Sequence, residues 1–589
     1  MSPTVHDTKQ APALPPKDVV IQPKWKNSSY YNQGTAVDLG KRSQLGISAL
    51  SPARVESIEV QKQRALRLFR SKHTMLEKYI FMAQMRTTNI HLFYKIVMED
   101  LQELAPVIYT PTVGTACLEY SNIYPFLAAP GTSDGLYLRK TSTEDLISLI
   151  KQYQPFPHHD EPYQPEIAVI SDGSRILGLG DLGVNGIGIP IGKLQLYVAG
   201  AGIDPRKTLP IILDLGTNNE KFLKDDFYLG LRQKRPEDPE FYETVDQVLN
   251  AIRAVYPNIL IQFEDWSSEH AFGLLEKYQN KMLCFNDDIQ GTGAVILSGI
   301  INAIRKVQKE SGVAPEDHRV VFYGAGSAGI GVARQIQEYF QIELGMSEDQ
   351  AKHVFWIVDS KGLVTQDRGD KLAQHKVYYA RSDNQGQQFK DLVDILEYVK
   401  PTILIGLSAI PNAFNAQVIQ CMAKLNEQPI IFPLSNPATQ SECDFEQAMT
   451  HTNGRVIFAS GTAFPSITDA NGHVHVPGQG NNMYIFPGLG LGAIRCKPKL
   501  ISDRMIYKSA VALADSLNAN ELAQGWLYPS LHRIREVSVT VATAVIEVAV
   551  SEGIAQEPQV LGKSHDQLLA FVSHSTWSPQ SDVLSASHI

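Results

Sequence analysis

Val320-Val-Phe-Tyr-Gly-Ala-Gly-Ser-Ala-Gly329 is a strand-forming run that leads straight into the pattern G-x-G-x-x-G. A short apolar run stopped by glycine reads as a buried strand, and the periodic stretch 327–340 behind it reads as a helix. The glycine pattern alone is a weak signal. Between a strand and a helix it becomes a loop whose backbone can approach a pyrophosphate seated on the helix N-terminus. Gly324, Gly326, Ser327, Ala328 and Gly329 are therefore predicted to contact a dinucleotide. Further runs at Val354–Val358, Thr402–Ile405, Ile430–Leu434 and Val456–Ala459 alternate with helical stretches near 388–399 and 415–425. This α/β pattern predicts a Rossmann-like NAD(P)-binding domain over residues 288–481.

Upstream, Ile167–Ile170, Leu209–Leu213, Ile259–Phe263 and Met282–Phe285 are also short apolar runs, with helical stretches at 188–201, 239–256 and 268–280. Continuously apolar strands separated by helices predict a parallel sheet covered on both faces. Asp238 before Pro239 is the predicted N-cap of the second of these helices. Two acidic doublets, Glu264–Asp265 and Asp287–Asp288, stand just beyond the last two runs. Ligands in open parallel sheets bind outside the carboxyl ends of the strands. At least three of these four carboxylates can converge on one hard divalent cation; without one they repel and raise each other's pKa. Residues 136–287, continued by 482–553, are predicted to form a parallel-sheet substrate and metal domain.

Residues 54–104 carry apolar positions such as Val55, Ile58, Leu66, Phe69, Leu76, Tyr79 and Ile80 at mixed helical spacing. Residues 1–135 are thus predicted as a mostly helical N-terminal domain, broken at Pro106 and followed by a turn-rich loop over Tyr109–Gly114. Residues 554–589 are polar and predicted as a C-terminal tail.

The formal net charge of −9, with basic residues scattered, argues against nucleic acid and anionic membrane as partners. Five cysteines without a C-x-x-C pair fit a reducing compartment better than a disulfide framework or a zinc-thiolate site. Val537–Val550, interrupted by Glu547, is too short and too charged to span a bilayer. Met1–Pro23 contains Asp7 and Asp18 and no arginine, so it is read as neither a secretory signal nor a mitochondrial presequence, and the expected location is the cytoplasm.

Several single residues carry candidate chemistry. Asp359 ends a strand 35 residues after Gly324, farther than the roughly 20 residues usual for the acid on the ribose. A longer first helix and the segment 343–352 account for the difference. Ser360 and Lys361 follow it and Lys376 lies beyond. Positive charge there favours a 2′-phosphate and hence NADP, whereas a lone acid favours NAD; the other reading is solvated surface lysines. Lys193, in an apolar helical stretch, either sends its head to water or is functional. Burial would lower its pKa and make it a general base near neutrality. Arg175 follows a turn at Asp172–Gly173 and could pair with a substrate carboxylate. Tyr109 reads as a packed ring or a proton donor, and Asn436 follows a strand toward the same sheet edge.

Taken together the motifs resemble those of malic enzymes. The matching segments are Tyr-Thr-Pro-Thr-Val-Gly (109–114), Asp-Gly-Ser-Arg-Ile-Leu-Gly-Leu-Gly-Asp-Leu-Gly (172–183), Phe-Glu-Asp (263–265), Phe-Asn-Asp-Asp-Ile-Gln-Gly-Thr (285–292), the glycine loop, Leu-Ser-Asn-Pro (434–437) and Pro-Gly-Gln-Gly-Asn-Asn (477–482). They occur in family order. The resemblance implies oxidative decarboxylation of L-malate to pyruvate and CO2 with NADP or NAD and Mg2+ or Mn2+. It implies Glu264, Asp265 and Asp288 as metal ligands, with Asp287 beside them; Lys193 as the base on the C2 hydroxyl; and Tyr109 as the acid that protonates C3. Arg175, Asn436, Asn481 and Asn482 match malate-binding positions. Ser360 replaces a lysine common in NAD-preferring relatives, and Lys376 stands where NADP-preferring ones have lysine, so NADP is the expected cofactor. A homotetramer or homodimer is also implied. The alternatives are a malolactic-type enzyme that releases lactate and a non-catalytic nucleotide-binding regulator.

Overall fold

A computed structural model describes residues 28–44, 46–128, 132–156, 163–580 and 583, with only the backbone described at 327 and 328. The reading of Met1–Pro23 therefore falls outside the described residues. Two parallel sheets carry the rest of the argument. The first contains β1 (Leu136–Arg139), β2 (Ile167–Ser171), β3 (Thr208–Asp214), β4 (Leu260–Phe263) and β5 (Cys284–Asn286), in the order β1-β3-β2-β4-β5. Every neighbouring pair in it is parallel. All residues of β2, β4 and β5 are buried, which is why they read as mainly apolar runs. Sequence reasoning missed β1: it is an edge strand of four residues whose Leu-Tyr-Leu-Arg alternates instead of running apolar.

The second sheet contains β6 (Val320–Tyr323), β7 (Phe355–Asp359), β8 (Gly362–Leu363), β9 (Ile403–Gly406), β10 (Ile430–Pro433) and β11 (Ile457–Ser460). A small antiparallel pair, β12 (Ile467–Thr468) and β13 (Val474–His475), stands apart, and β14 (Gly478–Gln479) closes the sheet edge. The order is β14-β11-β10-β9-β6-β7-β8, parallel except at β7–β8. The chain leaves β6 for β7 on one side and later returns to β9 on the other. The crevice between β6 and β9 is thus the topological switch point, where dinucleotides bind.

The N-terminal region is helical, with helices Ile58–Arg70, Met75–Thr88, Ile90–Glu99, Leu101–Ile108 and Thr112–Leu118. Pro106 does not break this region. It lies inside Leu101–Ile108, and the helix continues until Tyr109 N donates to Ala105 O at 3.0 Å. The expected loop over Tyr109–Gly114 shrinks accordingly to the turn before Thr112, which contains a cis Thr110–Pro111 bond. Asp238 is the first residue of its helix and Glu237 takes the cap position; the Asp238 carboxylate instead meets His270 Nε2 at 2.9 Å.

The C-terminal tail is not a free polar arm. It carries the helix His565–His574, and beyond it Trp577 is buried against Tyr94 at 5.6 Å between ring centroids. Trp577 N donates to Gly202 O at 2.6 Å, anchoring the tail at the end of the helix Gly188–Ala201. Val560, Leu568, Val572 and Trp577 supply buried contacts, too sparse in sequence to read as an apolar face. The helices Phe486–Cys496 and Ile534–Ser551 also pack near Gly188–Ala201, with Tyr197 and Phe486 edge to face at 4.9 Å. Among the described residues no helix is long and apolar enough to cross a membrane, and all five cysteines are free and buried.

Candidate active site

Register explains why the two acidic doublets meet. β4 and β5 pair in parallel with Phe263 opposite Asn286, so Glu264 and Asp287 leave adjacent strands at one level. Asp265 follows with φ +52°, a left-handed conformation uncommon for a residue with a side chain. Its backbone N–H donates to Asp288 Oδ2 at 2.7 Å, and its own Oδ2 accepts Leu177 N at 3.1 Å. Asp287–Gly291 forms a single π turn before the helix Thr292–Ser311, a distortion often seen at functional sites.

Glu264, Asp265 and Asp288 each offer an oxygen within 4.8 Å of the others, with the first two buried and Asp288 half-buried. Burial pushes the Glu264 carboxyl well up; Lys193 pulls it down, and Asp288, Asp287 and Asp265 add like charge. Burial and then Asp288 likewise raise Asp265, and burial is the main cause of the rise at Asp288. Oxygen-only donors, crowded and unfavourable as anions by themselves, fit a hard divalent cation.

Lys193 lies on Gly188–Ala201, a helix whose 14 residues are all buried. Such a helix is apolar all round because it has no face to water. The lysine head therefore does not reach solvent: Nζ lies 2.5 Å from Asp287 Oδ2 and 2.9 Å from Glu264 Oε1, and 4.3 Å from the Phe486 ring centroid. Burial does pull the ammonium pKa down, as expected from sequence. The combined pull of Asp287, Glu264, Tyr109 and Asp288 exceeds it, and the net direction is up. The expectation of a lowered lysine is thus corrected, and the neighbouring carboxylates set its proton affinity.

Tyr109 reaches the same group, its hydroxyl donating to Glu264 Oε1 at 3.4 Å. Its ring lies on the lysine helix at Gly192, where an added Cβ would stand 2.5 Å from Tyr109 Cδ2. Burial raises the phenol well above its usual value, with Lys193 opposing and the acids adding to it. Asn482 Nδ2 donates to Asp287 Oδ2 at 3.0 Å and to Thr292 Oγ1 at 3.0 Å. Arg175 is exposed; its guanidinium donates to Ser268 Oγ and is near enough to pull down Asp265 and Asp288. Among the described residues neither Asn436 nor Asn481 bonds to this cluster. Asn436 is exposed on the turn after β10, and Asn481 Oδ1 accepts Met483 N at 2.9 Å.

In the glycine loop, Gly324 has φ +122°, and a Cβ there would lie 2.4 Å from Leu407 O. A Cβ on Gly329 would lie 2.3 Å from Gly324 O, whereas one on Gly326 would meet nothing within 4 Å. Gly324 and Gly329 thus make the tight turn, and Gly326 faces open space that a ligand can approach. Ser327 and Ala328 begin the helix Ser327–Ile342; their side chains lie outside the described set. That helix crosses Thr292–Ser311 closely enough that a Cβ on Gly293 would fall 1.7 Å from Gln335 Oε1, which ties the acidic turn to the dinucleotide loop. At the end of β7, Asp359 pairs with Lys376 at 2.7 Å, and Lys361 with Asp370 at 2.8 Å, while Ser360 is exposed.

Sequence reasoning missed three supports. Arg368 grips Asp359 with two nitrogens, at 2.7 and 3.0 Å, and also reaches Asp370. Burial opposes this, yet Arg368 and Lys376 bring the Asp359 carboxyl down to about 2. Gln262 Nε2 donates to Glu264 Oε2 at 2.8 Å, and Tyr197 OH donates to Gln262 Oε1. A signal existed: Gln262 is the one polar residue of β4 and stands two positions before Glu264, hence on the same side of the strand. Arg235 holds both ends of the 172–183 loop, at 3.1 Å to Asp172 and 2.8 Å to Asp181, and nothing in its local sequence marks it.

Residues 86–279 match the family model described as malic enzyme, N-terminal domain, and residues 289–550 the one described as malic enzyme, NAD binding domain. The chain is 48% identical over 551 residues to an NADP-dependent malic enzyme of Dictyostelium discoideum, covering 94% of this chain and 97% of that protein. It is 39% identical over 538 residues to an NADP-dependent malic enzyme of Homo sapiens, covering 90% of each. An Arabidopsis thaliana protein named NAD-dependent malic enzyme 2, mitochondrial, is 37% identical over 567 residues, covering 93% of this chain and 91% of that one. The crystal structure of Entamoeba histolytica malic enzyme shares the fold, with a TM-score of 0.53 at 21% identity and 89% of each chain covered.

Asp265→Asn removes a charge from the oxygen set and is expected to weaken Mn2+ binding by at least about tenfold. Calorimetric or EPR titration of the two proteins measures this, and an unchanged affinity would exclude Asp265 as a ligand.

Proposed function

The chain belongs to the malic enzyme family, the NAD(P)-linked oxidative decarboxylases of malate to pyruvate, and on that premise we propose how its residues divide the work. The observation that carries the proposal is the buried contact of Lys193 with Asp287 and Glu264, with the Tyr109 hydroxyl on the same glutamate. When bound, the nicotinamide supplies the hydride acceptor for C2, and Mg2+ or Mn2+ held by Glu264, Asp265 and Asp288 supplies positive charge at the 2-oxo group as CO2 departs.

Lys193 takes the proton of the C2 hydroxyl as the neutral amine, a form that its pairing with Asp287 and Glu264 disfavours until their hold is weakened. Asp287 holds its Nζ in place, and Asn482 in turn holds Asp287. Tyr109 gives its proton to C3; its upward-shifted phenol stays protonated until that step. Arg175 pairs with a malate carboxylate, and Asn436 and Asn481 add amide contacts at the rim. The glycine loop of 324–329 receives the pyrophosphate of the dinucleotide.

NADP is the proposed preferred carrier. Around the ribose position two acids, Asp359 and Asp370, are paired with Arg368, Lys361 and Lys376, so a positive charge is left over for a 2′-phosphate. The names of the Dictyostelium and human relatives support the same choice. A helical N-terminal domain, a metal and substrate domain and a dinucleotide domain are the corresponding division of the chain. Homo-oligomeric assembly belongs to this reading on the strength of the family resemblance, and a cytoplasmic location on the acidic residues and missing arginine of Met1–Pro23 and on the cysteine usage.

Lys193→Ala is expected to lose roughly 10²-fold or more in kcat. Following NADPH formation at 340 nm during malate turnover measures it and also separates this reaction from one that releases lactate without net nucleotide reduction. Near-wild-type turnover would remove the lysine from the mechanism. Lys376→Gln is expected to lower the ratio of kcat/KM for NADP over NAD by about tenfold, the worth of one charge-assisted hydrogen bond. An unchanged ratio would place the specificity elsewhere.

A further inference from the structure

Glu442 is fully buried but belongs to no part of the catalytic cluster. Its carboxylate accepts Ser408 N and Ser408 Oγ, both at 2.8 Å, and Ser435 Oγ at 2.6 Å, with Ser435 N at 3.4 Å. Ser408 lies just past the end of β9 and Ser435 just past the end of β10, which neighbours it. One carboxylate therefore ties together the turns at the carboxyl ends of two adjacent strands. Room for it comes from Gly406, where an added Cβ would stand 2.6 Å from Glu442 Cδ. Burying a carboxylate is costly unless its oxygens are well satisfied, and here backbone and hydroxyl donors satisfy them.

Each of the two turns leads to a ligand position. A Cβ on Gly324 would lie 2.4 Å from Leu407 O and 2.9 Å from Ser408 N, so the Ser408 turn is the wall against which the dinucleotide loop is folded. Ser435 immediately precedes Asn436. The turns are also joined directly: Ala409, at φ +54°, donates its N–H to Ser435 Oγ at 2.9 Å. The Ser435 hydroxyl thus donates to Glu442 while accepting from the strained turn beside Ser408.

We propose that Glu442 is a positioning residue that couples the dinucleotide loop to the Asn436 turn, so that the nucleotide and malate subsites depend on one buried carboxylate. The malate half rests on the reading of Asn436 given above; the nucleotide half does not.

Glu442→Gln keeps the size of the side chain but offers one acceptor oxygen to donors that now meet an amide. The expected result is about a tenfold rise in the Kd for NADPH, measured by fluorescence without malate, and a similar rise in the KM for malate. A fall in kcat of less than about threefold separates positioning from a lost chemical step. Ser435→Ala, which removes only the bridging hydroxyl, is expected to move both constants in the same direction and carries the test if Glu442→Gln does not fold. A folded variant with wild-type NADPH affinity overturns the proposal. So does weakened NADPH binding with unchanged KM for malate, provided Asn436→Ala itself raises that KM. If Asn436→Ala leaves the KM unchanged, the malate reading of Asn436 fails and the NADPH measurement still decides the role of Glu442.

Discussion

Gathering the buried Glu264, Asp265 and Asp287 and the half-buried Asp288 around the single ammonium of Lys193 places more negative charge at the end of β4 and β5 than that lysine can cancel. In a low-dielectric setting such crowding is severe: burial is the main cause that raises Glu264, Asp265 and Asp288, and the charge of the neighbouring acids adds to it. A divalent cation shared by those three residues would act on both sides of the imbalance. It would relieve the repulsion among the acids and weaken the hold of Glu264 on the lysine proton.

The rest of the architecture keeps this charge in place. A parallel sheet delivers the two doublets at one level, and a wholly buried helix brings Lys193 beneath them. Gly192 leaves the Tyr109 ring space against that helix, and Gln262, bonded to Tyr197 one turn beyond Lys193, holds the far oxygen of Glu264. The acidic turn continues directly into Thr292–Ser311, which crosses the helix of the glycine loop at Gly293. The glycine loop and the acidic turn are thereby fixed relative to one another through two helices in contact.

Local patterns made part of this visible in advance. The doublets stand after apolar runs, and the glycines stand between a strand and a helix, so the sheet edges and the acids and glycines that stand at them were legible from spacing. Contacts across long separations were not. Tyr109 meets Glu264 across 155 positions, and nothing near Tyr109 demands a polar role. The sign of the lysine shift could not be read because it depends on which acids lie within 3 Å of Nζ, not on burial alone. Arg368, Arg235 and Glu442 look like ordinary surface charges in sequence, and only their partners reveal them. Pro106 and the tail misled for a related reason: helix continuation and the docking of Trp577 were decided by tertiary packing, which overrides local propensity.

Anomalous diffraction from crystals grown with Mn2+ and NADPH tests the charge argument most directly. The account expects one strong manganese peak per chain with oxygens of Glu264, Asp265 and Asp288 at about 2.1 Å, the spacing of a small hard cation. It also expects Lys193 outside the coordination sphere but still beside Asp287. Manganese located away from these three carboxylates, or a triad that stays unligated at saturating metal, would contradict it.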